Sequence, residues 1–306
     1  MRTIPKRNRL LFLSLLWLFV SSASAQSGNI ISVSTGENYF KGTVDAVNAL
    51  GGIQKFVKKG QKVGLLINSD FEEKATYVNP DVAIAVVKLC IDAGASGIVC
   101  LQHVKPEYWQ RSQLYAQYSD MLAKVTTVEA NSFPAKYDSL NFIKFDSIPG
   151  AKSLKKTEVV KMLFDIDAFI SIPIAKHHAT TVLTCAAKNM MGLCTRATNV
   201  TMHLNGPKRN DPGYLAQCIT DLFLLRKPDL IVADATEMIV TNGPGGPGEI
   251  RKFDKIVAGT SPVCVDTYCT QLLGFSNDDV LSNTKGFEAG LGEMDLQKIK
   301  IIQNQN

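Results

Sequence analysis

Lys62 to Leu101 reads KVGLLINSDFEEKATYVNPDVAIAVVKLCIDAGASGIVCL. Its first apolar run, VGLLIN, has the length of a buried strand, and Val82 to Ile91 carries apolar residues at helical spacing. Ala93-Gly94-Ala95 breaks that helix, and GIVCL is a second strand. The stretch is a βαβ unit. Outward from it the alternation recurs twice: a helix predicted from Thr157 through Phe164 precedes the strand AFISIPI, and a helix from Tyr214 to Leu225 precedes the strand DLIVAD. Strands alternating with helices predict an α/β fold, a largely parallel sheet with helices on both faces. Between about Glu107 and Lys152 the pattern weakens to a less regular connection with short helices. Helices are expected from Pro262 to Leu273 and from Asp278 to Ala289, with a closing strand near Ile299 to Ile302.

Residues 1–25 read as a cleavable secretory signal: basic Arg2, Lys6, Arg7 and Arg9, an apolar run from Leu10 to Val20, and the small-residue site Ala23-Ser24-Ala25. The apolar run is well short of the roughly 20 residues that a spanning helix needs. Residues 26–306 are then expected to form one α/β domain, or two intertwined lobes, exported to the periplasm or the cell exterior with no stable membrane insertion. Removing the four basic residues of the signal lowers the formal charge from +5 to +1. A nearly neutral chain offers no electrostatic footprint for nucleic acid. Seven cysteines include no CxxC pair, which argues against a ferredoxin-type iron–sulfur cluster or a structural zinc site. They read as small buried hydrophobes, and disulfide pairing and oligomeric state stay open.

In a parallel sheet, functional residues lie just past the carboxyl ends of strands. Three polar stretches follow buried strands: Asn68-Ser69-Asp70, Lys176-His177-His178 and Asp234 to Glu237. The chain has four histidines, and three of them fall between residues 177 and 203. His178, Lys188 and His203 therefore stand out, since histidine serves as acid, base or metal ligand. A lysine in apolar surroundings can lose its proton and act as nucleophile or anion clamp. The alternative is that these side chains are structural donors to nearby carbonyls. Thr241 to Gly248 has glycine or proline at six of its eight places. It must be a shaped turn and fits the rim of a cleft, with Asn242 and Gly243 beside Asp234 and Glu237, but it is no phosphate-loop pattern. Asp266 lies on a mostly apolar helix, where a carboxylate needs a partner or a cation; capping neighbouring backbone is the other role open to it.

The blocks IPIAKHHATTVLTCAAKNMMG, KPDLIVADATEMIVTNGPGGPG, IVAGTSPVCVDTYCTQLLG and AGLGEMDLQKIKI, with the opening VGLLINSDF, resemble in order those of the domain of unknown function 362 family. Where that family's opening block usually carries Lys-Pro-Asn, this chain reads Ile67-Asn68-Ser69, and the ferredoxin-type cysteines of many members are missing. Arg7-Asn8-Arg9 is not the twin arginine of many exported members. The order of His178, Lys188 and His203 is also similar to that of the nickel-pincer lactate racemases. That similarity implies that His178 moves a substrate proton or a hydride-linked proton, Lys188 holds a cofactor or anionic substrate, and His203 ligates a metal. The expected site has His178 and Lys188 as catalytic residues, His203 as metal ligand, and Asn68, Asp70, Lys176, Asn189, Asp234, Glu237, Asn242, Gly243 and Asp266 as ligand contacts. The expected function is binding of a small anionic molecule or metal-linked cofactor by a racemase-like or redox-associated enzyme. The alternative is a non-catalytic periplasmic binding or cofactor-carrying protein.

Overall fold

The computed structural model describes residues 28–128 and 136–305, and the signal segment expected at residues 1–25 lies outside them. In chain order, β1 (Ile30–Thr35) and α1 (Tyr39–Ala49) precede the unit read first in the sequence, β2 (Lys62–Ile67), α2 (Pro80–Asp92) and β3 (Gly97–Cys100). Next come α3 (Pro106–Gln110), α4 (Tyr115–Leu122), β4 (Val125–Thr127), β5 (Phe142–Phe145), β6 (Thr157–Val160) and β7 (Ala168–Ile172). β8 (Lys176–His178) and β9 (Val182–Thr184) lead to α5 (Ala186–Asn189), α6 (Arg196–Leu204) and α7 (Pro212–Leu222). β10 (Leu230–Ile239), β11 (Ile250–Gly259), α8 (Pro262–Leu272), α9 (Leu281–Glu288) and β12 (Lys300–Gln305) complete the chain. Among the described residues no helix is long and apolar enough to cross a membrane.

Eight strands form one sheet in the order β12-β1-β11-β10-β7-β2-β3-β4. β11 runs antiparallel to β1 and β10, and the other neighbours pair in parallel. The fold is α/β and largely parallel, with one antiparallel strand inserted. That strand follows from a short link: residues 240–249 join β10 to β11, whereas a parallel return requires a crossover of a dozen residues or more. Thr157 to Phe164 is not the helix its spacing predicts. Thr157–Val160 is strand and Lys161–Phe164 a 3-10 turn, because the β-branched Val159 and Val160 pair with β5.

The pleat sorts the core. Val63, Leu65 and Ile67 of β2 face α1 and α2 together with Ile170 and Ile172 of β7, while Leu66 and Phe169 face the opposite layer with Leu215, Ile219 and Leu222 of α7. On that second face α8 covers the antiparallel half, packing Cys264, Val265 and Cys269 against Ile231, Ala233 and Val257. All seven cysteines are buried and free. From β2 the chain moves outward through β3 to β4, then returns as β7 on the other side of β2. The strand order therefore reverses between β2 and β7, and in open α/β sheets the crevice beyond such a reversal is where ligands sit.

Candidate functional site

Beyond the carboxyl ends of β2 and β7 lies a cavity of about 460 Å³, within the size range of small-molecule sites. Asn68 and Asp70 reach it from the end of β2, Gln102 from the end of β3, and Lys176, His178 and Thr184 from the β8–β9 hairpin. Lys188 and Asn189 enter on α5, Asn199 and His203 on α6, and Arg196 and Arg209 stand exposed at its mouth. Among the described residues, four basic side chains, Lys176, Lys188, Arg196 and Arg209, thus line the cavity against a single carboxylate, Asp70.

Local structure explains the placement. In the three-residue β8, alternation puts Lys176 and His178 on the cavity side and turns His177 away, where its Nδ1 accepts the Gly243 N–H at 3.0 Å. The short α5 is held at both ends. Asp266 accepts the N–H groups of Ala186 and Ala187 at 2.6 and 2.9 Å, and the Asn189 amide donates to the Leu66 carbonyl at 3.0 Å and the Ser171 hydroxyl at 2.9 Å.

Each titrating group has a distinct environment. Lys176 is fully buried, donates to the Thr76 carbonyl, and sits 3.5 Å from the centroid of the Phe71 ring. Burial, with the like charge of Lys188, pushes its ammonium down to about 7. Lys188 is partly accessible, contacts the Met191 sulfur at 3.4 Å, and is pushed by burial to about 8. His178 Nδ1 accepts the N–H groups of Thr180 and Thr181 at 3.1 and 3.2 Å. A neutral ring held this way carries its proton on Nε2. Burial and the neighbouring Lys188 push the imidazolium down to about 2, so the ring stays neutral. Held this way, the ring turns a donor, Nε2–H, away from the Thr180 and Thr181 amides. His203 is lowered by burial and by Lys188, against a 3.0 Å contact of its Nδ1 with the Asn210 side-chain oxygen. Burial raises Asp70, while Lys105 and His103 oppose that shift.

Other expected ligand contacts lie outside this cavity. Asp234 is buried and saturated, its oxygens accepting the Asn79 N–H at 2.6 Å and both the N–H and hydroxyl of Thr236 at 2.9 and 2.7 Å. Asp266 performs the capping just described, and burial raises it to about 6. Glu237 pairs with Lys74 at 2.8 Å. Asn242 takes a positive φ of 51° and bonds the Pro247 carbonyl at 3.3 Å. Gly243 packs so tightly on the His177 carbonyl that a Cβ would overlap it, and from this loop Pro244 reaches the cavity. The sequence reading missed Gln102, Thr184, Arg196, Asn199 and Arg209. Thr184 Oγ1 is buried without a hydrogen-bond partner.

Among the described residues no three His, Cys, Asp or Glu side chains group to hold a metal. His203 alone is too few donors for a protein-only site. These donors would fit a metal only as part of a cofactor that brings its own further ligands, and His203 is the cavity side chain that would add one.

No curated protein matches this chain. Among solved structures, the lactate racemase apoprotein from Thermoanaerobacterium thermosaccharolyticum matches at a TM-score of 0.47 and 10% identity, over 81% of this chain and 57% of that one. A Thermotoga maritima protein from a structural genomics consortium matches at 0.44 and 13%, over 79% of this chain and 61% of that one. This chain therefore spans less than two thirds of the length of either. The family model described as domain of unknown function (DUF362) matches residues 62–271, and the chain belongs to that family.

Proposed function

We propose that this protein binds a small organic anion, of the class of the 2-hydroxy acids, and moves a proton at the carbon beside its carboxylate. The observation that carries this reading is the convergence of Lys176, Lys188, His178 and His203 on one cavity whose only carboxylate among the described residues is Asp70. Arg196 and Arg209, at the mouth, supply charge for the carboxylate, and Lys176 Nζ supplies an N–H donor deeper in the cavity. The neutral His178 offers its Nε2 proton to the substrate oxygen, the way a neutral imidazole polarises a carbonyl or hydroxyl. The unpartnered Thr184 hydroxyl offers a further polar contact. Lys188, pushed to about 8, is the group that takes the proton, since a base works best with a pKa near the working pH. A metal-linked cofactor with His203 as a protein ligand would supply redox or Lewis-acid chemistry at the same carbon.

The experiment is exchange of the C2 hydrogen of lactate in D2O, followed by NMR, beside lactate binding by calorimetry. Exchange that rises with pH through about 8 and is lost in Lys188→Met supports the reading. Absence of both binding and exchange overturns it. Binding without exchange supports a non-catalytic binding or carrier protein, a second reading that the fixed donor state of His178 favours. We also propose export with removal of residues 1–25. The mass of the protein from the exported fraction tests this, with Gln26 expected as the first residue.

A further inference from the structure

The two cavity lysines are not equivalent. Lys176 Nζ is tied down: it donates to the Thr76 carbonyl and lies 3.5 Å from the centroid of the Phe71 ring. Lys188 has neither. Among the described residues it makes no ion pair, and its contact is the Met191 thioether at 3.4 Å, a weak acceptor. Burial among apolar walls is one condition that turns a lysine into a free amine nucleophile. Burial has already moved Lys188 to about 8. Its backbone is also fixed, through Asp266 on Ala186 and Ala187 and through Asn189 on Leu66 and Ser171. An amine held this way meets a bound molecule in a set position.

We infer that Lys188 condenses with the ketone of a small 2-oxo acid and holds it in the cavity as an imine. This rests on the reading of the cavity as a site for small carboxylate anions. The acid's carboxylate faces the Arg196 and Arg209 guanidiniums with Lys176 Nζ as a further N–H donor, and its ketone oxygen receives the His178 Nε2–H. The Lys188 Nζ lone pair attacks C2. A C–N bond forms as the C=O π bond opens onto oxygen, and His178 stabilises the developing oxyanion by hydrogen bonding while keeping its own proton. One Nζ proton passes to that oxygen through solvent. The C–O bond then breaks as the C=N bond forms, and the second Nζ proton leaves with the hydroxide as water. Two amine protons and the ketone oxygen depart as one water, and nothing is oxidised or reduced.

The test uses pyruvate as probe, cyanoborohydride as the external hydride donor that reduces the imine to a stable secondary amine, and intact-mass and peptide analysis. One adduct per chain, mapped to Lys188 in the wild-type protein and lost in Lys188→Met with its fold intact by circular dichroism, is the expected result. Lactate has no ketone, and its binding is measured in parallel by calorimetry. Lactate binding without a pyruvate adduct overturns the imine and leaves the anion site standing. Absence of both lactate binding and adduct overturns both. An adduct mapped to Lys176, or spread evenly over surface lysines, overturns the assignment to Lys188.

Discussion

Asp234 and Asp266, in the half of the molecule built from β10, β11 and α8, and Lys176 and Lys188, at the ends of β2 and β7, all lie in places that disfavour charge, yet they are compensated differently. Each acid is closed by backbone amides: Asp234 by Asn79 and Thr236, Asp266 by Ala186 and Ala187. Asp221 on α7 repeats the device with the N–H groups of Lys152, Ser153 and Leu154. The lysines meet a carbonyl, an aromatic face and a thioether, and no carboxylate pairs with either among the described residues. A buried charge without full compensation is costly. The closed acids tie segments together, and the open lysines line the cavity where we propose that an anion binds.

The contrast can be broken experimentally. Asp266→Ala leaves two amide donors without their acceptor, and a loss of about 2–4 kcal/mol in urea unfolding is expected; a change near zero would show that the capping carries no weight. Lys188→Met should act oppositely. Removing a poorly compensated charge leaves stability unchanged or raised by about 1 kcal/mol, while lactate affinity falls by about tenfold or more, the scale of one charge-assisted contact. A parallel loss of stability would place Lys188 with the scaffold.

A pH scan sharpens the comparison further. The folded values of Lys176 and Lys188, about 7 and 8, lie below the ordinary 10.5. Between those values the unfolded chain binds more protons than the folded one, so stability should rise with pH across that window and flatten above it. Below about 7 both states are charged and the burial cost is fully present. Urea midpoints across this range should lose that slope in a Lys176→Met, Lys188→Met double variant; an unchanged slope would assign it to other groups. The smallest effect is expected from Glu237→Gln. Its partner Lys74 is largely exposed, and the unfolding free energy should move by about 0.5 kcal/mol or less.

The parallel half of the fold was legible because VGLLIN, AFISIPI and DLIVAD are apolar runs bounded by breakers. β11 was not. Its first residues, Ile250 to Lys252, are exposed and its last four buried, so neither alternation nor a continuous apolar run marks it. β6 misled through spacing, since Val159, Val160 and Leu163 fit a helix until pairing with β5 decides otherwise. In the site, Asn68, Asp70, Lys176, His178, Lys188, Asn189 and His203 share the cavity, and most follow strand ends, where polar residues are conspicuous. Arg196 and Arg209 left no trace, because only the packing of α6 brings them to the mouth. Asp234 and Asp266 read as ligand contacts because a sequence shows a carboxylate in apolar company but hides the amides that satisfy it.

His177 and His178 are adjacent in the chain and opposite in use: one imidazole fastens the hairpin to the Gly-Pro loop through Gly243, and the other opens on the cavity. The assignment depends on parity alone. A strand shifted by one residue turns every side chain to the other face, so a single deletion just before Lys176 would bring His177 inward and send Lys176 and His178 out. The cavity would keep an imidazole and lose an ammonium, and the inward ring would no longer be held as a donor by Thr180 and Thr181. At this hairpin, chain length to the residue is itself part of the chemistry.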